Sequence, residues 1–162
     1  MYRRMDDFLA AWRSEAESTL KIFHALTDSS LSQRVTPEGR SLGDLAWHIV
    51  NTLPEMGGQA GLKIGESPRT GNVEALIAAY ERLSAETAAV LESSWTDSML
   101  PEAIPMYGEQ WTRGCTLAAL IGHQAHHRGQ MTVLMRQAGL TVPGVYGPAR
   151  EEWAAFGMPA EP

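Results

Sequence analysis

The chain has 162 residues, of which 44% are hydrophobic and 20% are charged, and we expect a single globular domain over residues 1–162. A formal net charge of −6 lacks the basic surface that neutralises phosphates, so nucleic acid is not an expected partner. No apolar run approaches the about 20 residues of a membrane span, and MYRRMDDFLAAWRSEAE is not a signal peptide, so we expect a cytoplasmic protein without a membrane partner.

Two helices are predicted in the first third of the chain. The first is indicated by an apolar stripe at helical spacing, and it should make about six turns. The stripe consists of Met5, Phe8, Leu9, Trp12, Ala16, Leu20, Phe23 and Leu26. After the break SLSQRVTPEGR, Ser41 and Asp44 have the spacing of a capping box. They predict the start of a second helix, LGDLAWHIVNTL, which Pro54 and the following glycine pair should weaken or kink.

The rest of the chain adds two long helices and a short one. Asn72 is a candidate cap for a third helix whose apolar stripe ends near Trp95. Residues 96–113 lack helical spacing and predict a long connection with short extended pieces. A fourth helix should run from about Gly114 to Ala138, and AREEWAAF should close the chain as a short helix. The pattern favours an all-α protein, a four-helix bundle with a short C-terminal helix.

Three histidines lie within five positions of the fourth helix, in the segment HQAHHRGQM. His123 and His127 are one turn apart on its apolar stripe, whereas His126 lies about 100° away. Two core histidines held by hydrogen bonds would be the structural alternative. Two half-buried imidazoles on one apolar stripe favour a metal site instead, and imidazole suits zinc, nickel, iron or copper.

The spacing of these histidines matches the zinc metalloprotease motif H-E-x-x-H, with Gln124 in place of the glutamate. An amide cannot take a proton from a metal-bound water, so a metalloprotease is disfavoured. Gln124 is kept only as a weak candidate for a catalytic residue.

A third ligand is expected from another helix, and His48 in LAWHIV is the best candidate. Three histidine ligands leave a coordination position open, which is typical of a catalytic metal. His24 lies at the edge of its stripe and is interpreted as a surface residue. Glu55 shares the face of His48 and is a weak acid/base candidate, with a solvated glutamate as the alternative.

Other residues near the histidines have less specific interpretations. Arg128 is expected to pair with an acid on a neighbouring helix, with contact to an anionic substrate as the alternative. Gln130 is expected to orient a ligand histidine. Cys115 lies about 120° from His127 around the helix, so we interpret it as a small buried hydrophobic residue, not a nucleophile. The 96–113 connection should cover a pocket above the metal, with Tyr107 and Trp111 among its candidate lining residues.

The chain resembles the DinB/YfiT-like superfamily of metalloenzymes over nearly its whole length. The resemblance rests on the histidine of the second helix and on the segments HQAHHRGQ and LMRQAG of the fourth. The resemblance implies a four-helix bundle with up-down-down-up connection and His48, His123 and His127 as metal ligands. It also implies a homodimer. Characterised members are largely thiol-dependent S-transferases and isomerases that use bacillithiol, mycothiol or glutathione.

The leading functional hypothesis is therefore a thiol S-transferase that acts on a small electrophile. It would bind one divalent metal per chain, with zinc, nickel, iron and manganese not distinguished, and a low-molecular-weight thiol as co-substrate. A metal-dependent hydrolase and a non-catalytic dimeric module that binds a metal or a ligand are the alternatives.

Overall fold

Four long helices carry most of the chain in a computed structural model that describes residues 1–160. The elements are α1 (Met5–His24), α2 (Leu42–Gln59), α3 (Val73–Ser94), β1 (Ala103–Met106), β2 (Glu109–Thr112) and α4 (Arg113–Gln137). Short 3-10 helices span Asp28–Ser32, Asp97–Met99 and Arg150–Phe156. The all-α prediction is confirmed, and the closing segment is helical in the tighter 3-10 form. No described helix is long and apolar enough to cross a membrane.

The helix starts follow from side-chain caps. The Ser41 hydroxyl accepts from the Asp44 backbone N–H at 3.1 Å, and the Asp44 carboxylate accepts from the Ser41 N–H at 2.8 Å, so the predicted capping box is present. The Asn72 side chain likewise accepts from the backbone N–H of residue 75 at 2.8 Å. In α4 the cap is Thr112, and the helix begins one residue earlier than predicted.

Helix α2 continues through Pro54 and the glycine pair to Gln59, beyond the segment LGDLAWHIVNTL. Pro54 lacks one backbone donor, but Leu53 and Met56 are buried on either side of it and favour the helical path. Gly57 allows a close contact, because a Cβ there would lie 2.5 Å from the Ile64 side chain. Packing thus outweighs the local penalty of the proline.

The directions of the helices follow from contacts between their ends. The Tyr2 N–H donates to the Gly114 carbonyl at 3.3 Å, just before α1 and at the start of α4, so these two helices run parallel. Asp28, after α1, accepts from the Val73 N–H at 2.8 Å, so α3 begins where α1 ends. The α1 and α3 helices are therefore antiparallel.

Helix α2 runs antiparallel to α4, since Leu45 near its start and Leu134 near the end of α4 line one cleft. The main contacts place the helices around the core in the order α1, α3, α2, α4. With α1 and α4 pointing up and α2 and α3 pointing down, the connection is up-down-down-up, as the resemblance implied.

Large aromatic side chains fill the core. Phe8, Trp12, Phe23, Trp47 and Tyr80 are all essentially inaccessible to solvent. Burial of each is worth about 2–3 kcal/mol, so this core holds the helices as a rigid frame.

The extended pieces predicted within residues 96–113 form a β-hairpin, with β1 and β2 antiparallel. Its two-residue turn has positive φ at Tyr107 (51°) and Gly108 (84°), as the tight hairpin turns of twisted strands require. A tyrosine in that conformation costs about 1 kcal/mol. The turn aims Tyr107 back at the end of α2, beside the histidines described next.

Candidate metal centre

The structure brings together His48 of α2 with His123 and His127 of α4. Their Nε2 atoms converge: that of His123 lies 3.0 Å from Nε2 of His48 and 3.1 Å from Nε2 of His127. One ring nitrogen of each residue lies within 4.8 Å of those of the other two. The antiparallel packing of α2 on α4 creates this cluster, because one turn of α4 faces the middle of α2.

The cluster is electrically suited to metal binding. Burial, followed by the neighbouring imidazoles, lowers the pKa of His123 to about 4. Burial also lowers the pKa of His48 and of His127, and the hydrogen bond that His127 donates to Gln130 opposes the shift of His127 only in part. All three rings are therefore neutral at pH 7, the protonation state in which an imidazole nitrogen binds a metal.

One of the three histidines is oriented by a hydrogen bond. Nδ1 of His127 lies 2.7 Å from Oε1 of Gln130, which can only accept, so His127 donates from Nδ1 and keeps a lone pair on Nε2. This is the supporting role predicted for Gln130, and metal-binding histidines are generally held in this way.

The donor set fits a divalent ion. The Nε2 atoms of the three neutral rings converge, and a shared cation would accept a lone pair from each of them. Ligand nitrogens about 2.0–2.1 Å from a tetrahedral zinc lie about 3.3 Å apart, close to the separations of 3.0 and 3.1 Å. His123, His48 and His127 can therefore hold a metal ion, and its identity is left open by an all-imidazole set.

The other two histidines in the predictions lie outside this set. His126 is exposed on the adjoining face of α4, with its ring centre 4.8 Å from that of His127. His24 is exposed at the end of α1, as expected for a surface residue.

Two clefts flank the cluster. The first, called the Glu55 cleft, has a volume of about 250 Å³. It is lined by His48, Thr52, Glu55, Met56, Tyr107, Trp111, Ala119 and His123. The second, called the Arg40 cleft, has a volume of about 600 Å³. It is lined by Val35, Gly39, Arg40, Leu45, His126, His127, Gln130, Val133 and Leu134. His48 and His123 thus form part of the wall of the first cleft, and His127 forms part of the wall of the second.

Glu55 lies at the exposed rim of its cleft, where the Tyr107 hydroxyl donates to its Oε1 at 3.3 Å. Its negative charge acts on His48, where it opposes the lowering of the pKa. Burial and the same carboxylate raise the pKa of Tyr107. The hairpin therefore covers this side of the histidines, as predicted for residues 96–113, but the Tyr107–Glu55 contact was not anticipated.

Gln124, the second weak catalytic candidate, is part of a buried hydrogen-bond network. It is 0% exposed, and its Oε1 accepts from the hydroxyls of Tyr80 (3.0 Å) and Thr19 (3.2 Å). Its amide nitrogen donates to the Ile49 carbonyl at 3.4 Å. These bonds tie α4 to the other three helices, and they give Gln124 a structural role.

Arg128 pairs with an acid on a neighbouring helix, as predicted. Its guanidinium forms an ion pair with Glu15 of α1 and donates to the Thr19 hydroxyl at 2.9 Å. Tyr146 from the C-terminal segment completes the group, with its hydroxyl 2.8 Å from the Glu15 carboxylate and 2.6 Å from the Arg128 guanidinium. The PGVYGP segment is thus anchored across α1 and α4.

The interpretation of Cys115 as a buried residue is wrong, since its side chain is exposed. Thr112 caps the helix and accepts from the Cys115 N–H, which places this cysteine in the first turn of α4. Twelve residues separate it from His127, or about 18 Å along the helix axis. The thiol is therefore remote from the histidines.

Comparisons with known proteins agree with this architecture. The DinB family pattern matches residues 1–161. The uncharacterized protein YrdA of Bacillus subtilis (strain 168) is 43% identical over 164 residues, which cover 99% of this chain and 98% of YrdA.

Two solved structures are similar as well. A DinB-like protein from Bacillus cereus ATCC 10987 is 43% identical, with a TM-score of 0.86 over 90% of this chain and 100% of that one. YjoA, a DinB-like protein from Bacillus subtilis, shares the fold at 20% identity, with a TM-score of 0.70 over 88% of this chain and 99% of its own.

Proposed function

The chain belongs to the DinB family, and from that premise we propose that it is a divalent-metal-dependent thiol S-transferase acting on a small electrophile. The observation that carries the proposal is the convergence of three neutral imidazole nitrogens from residues that line two neighbouring clefts. His48, His123 and His127 would hold the metal, with Gln130 fixing the orientation of His127. A divalent ion on three neutral ligands keeps its full charge and supplies a Lewis acid that lowers the pKa of a thiol.

The two clefts support a reaction of two substrates. His48 and His123 line the Glu55 cleft and His127 lines the Arg40 cleft, so a thiol and an electrophile could approach the histidine cluster from different sides. Holding two reactants together in this way accounts for a large part of the rate gain in a bimolecular reaction.

Glu55 is the group in the Glu55 cleft that can take up a proton. Its Oε1 already accepts from the Tyr107 hydroxyl, which orients the carboxylate within the cleft. With a chlorinated electrophile, the sulfur–carbon bond forms, chloride leaves with the bonding electrons, and the thiol proton passes through the Glu55 carboxylate to solvent. General-base assistance of this kind is typically worth about 10²–10⁴ in rate.

The same carboxylate supports one alternative, a metal-dependent hydrolase in which water takes the place of the thiol. Glu55 would then accept a proton from water. The buried position of Gln124 removes it as a base in either reaction.

The proposal is tested by conjugating monochlorobimane with bacillithiol, mycothiol or glutathione, using protein loaded with zinc, nickel or manganese. We expect a fluorescent product with at least one thiol, and its formation should be abolished by His48→Ala. Cys115→Ser is the matched control and should leave the rate unchanged, because this thiol is remote from the histidines. No product with any of the three thiols would contradict the transferase and leave hydrolysis to be tested with ester substrates.

A further inference from the structure

Arg40 is an unpaired cation at the edge of the Arg40 cleft. Its side chain is exposed and makes no hydrogen bond or salt bridge within residues 1–160. Two other arginines near this end of α2 differ, because Arg34 and Arg69 both lie within ion-pair distance of Asp44, at 3.9 and 2.6 Å. A free guanidinium in a cleft is available to a ligand.

The loop that carries Arg40 is held in place. The Arg34 guanidinium donates to the carbonyls of Pro37 and Gly39 at 3.2 and 3.3 Å, and the Leu42 N–H donates to the Gln33 carbonyl at 2.8 Å. These bonds fix the backbone on both sides of residue 40. The guanidinium is thus presented to the cleft from an ordered turn.

The cleft is positively charged although the chain carries a net charge of −6. None of the residues that line it is acidic. The charge of Arg40 reaches all three histidines of the cluster, where it contributes to lowering each pKa. A negatively charged ligand in this cleft would therefore be attracted by Arg40, and more strongly once a cation is bound nearby.

Apolar side chains form the rest of the wall. Val35 and Val133 are 67% and 55% exposed, and Leu45 and Leu134 lie below them. Surfaces of this kind suit a ligand with an apolar or weakly polar body and a charged end. A planar guanidinium matches the two oxygens of a carboxylate better than a lysine would.

We infer that Arg40 determines substrate specificity by binding a carboxylate of the thiol substrate, whose body lies against Val35 and Val133. The inference rests on the proposed function and adds the chemical class of the thiol. Glutathione and bacillithiol carry carboxylates and mycothiol carries none, so the first two should bind in the Arg40 cleft. The uncharged electrophile would then enter by the Glu55 cleft, and the thiol sulfur would reach from the Arg40 cleft past His127 to the side of His48 and His123 that faces Glu55.

Binding of S-methylglutathione, measured by calorimetry, tests the inference without any reaction, because the blocked sulfur cannot act as a nucleophile. We expect the dissociation constant to rise about tenfold or more in Arg40→Gln, the usual effect of losing a hydrogen bond to a charged group. The diethyl ester, which has no carboxylate, should bind wild type as weakly as the acid binds the variant. Arg13→Gln is the matched control, since Arg13 is an exposed arginine on α1 outside the cleft.

The inference would be overturned if wild type and Arg40→Gln bound S-methylglutathione equally. It would also be overturned if wild type bound S-methylglutathione and its diethyl ester equally, or bound neither measurably. The experiment is separable from the test of the proposed function. Arg40-dependent binding in a protein that conjugates no thiol would support the carboxylate site and contradict the transferase alone.

Discussion

Two polar clusters on neighbouring residues of α4 differ in one decisive respect. Arg128 and its partners Glu15, Thr19 and Tyr146 pair opposite charges and bond to one another within the protein, and the buried Nε of Arg128 alone among them has no partner within residues 1–160. The cluster around His127 brings three Nε2 atoms together with no carboxylate bonded to any of them, and the buried Nδ1 of His123 has no partner within residues 1–160. An arginine paired with a carboxylate is electrically complete without a ligand, whereas neutral ring nitrogens that converge on one point are retained at a cost that a bound cation would remove.

The largest effect on folding is expected from the Arg128 cluster. Arg128→Ala leaves the Glu15 carboxylate without its partner and opens a cavity beneath Tyr146, so the free energy of unfolding should fall by about 3 kcal/mol. Urea denaturation of the metal-free protein measures this change. A loss below about 1 kcal/mol would contradict the structural role assigned to this ion pair.

The next effect concerns the support of the histidines. Gln130→Ala should weaken metal binding by about tenfold or more, because His127 loses the hydrogen bond that fixes its tautomer. The free energy of unfolding of the metal-free protein should change by less than about 0.5 kcal/mol.

Competition with a chromogenic chelator measures the affinity of the Gln130 variant. Gln137→Ala, at an exposed position near the end of α4, is the control and should bind metal as the wild type does. Equal affinities in the two variants would remove the orienting role of Gln130.

The smallest effect is a pH dependence that distinguishes the two clusters. His123 has a pKa of about 4 when folded and about 6.5 when unfolded, so between these values the unfolded chain binds more protons. The contribution of His123 to the free energy of unfolding is therefore fully present above pH 6.5 and is lost as the pH falls toward 4. Because the ring is half-buried, solvent screening limits the loss to about 1–2 kcal/mol.

Urea denaturation of the metal-free wild type and of His123→Ala, each at pH 7.5 and pH 4.5, measures how much stability His123 costs the protein on acidification. The variant should lose less stability on acidification than the wild type does. Equal losses in the two proteins would mean that the folded protein accommodates the charged imidazole without penalty.

The sequence predicted those features that depend on local periodicity. The helical stripes and the caps at Ser41 and Asn72 mark the helices, and the four-residue spacing of His123 and His127 places both on one face. These features depend on contacts within one or two turns. Short-range chemistry decides them, so a single sequence reveals them.

The features that were missed depend on contacts between distant segments. Burial of Leu53 and Met56 carries α2 past Pro54, and the contact of Tyr107 with Glu55 joins residues 52 positions apart. Cys115 was misplaced because an apolar neighbourhood in sequence does not specify which side of α4 faces solvent near its first turn. The position of Arg40 in a cleft likewise follows from the loop, which has no periodic pattern.

Metal content per chain is the most direct test of the difference between the two clusters. Elemental analysis of protein purified under metal-replete conditions should find about one divalent ion per chain, most of it lost in His123→Ala and His127→Ala. His126→Ala should retain the ion, because His126 lies on the adjoining face. A wild-type protein without metal, or a variant at residue 126 that loses it, would contradict the assignment of His48, His123 and His127 as a metal centre.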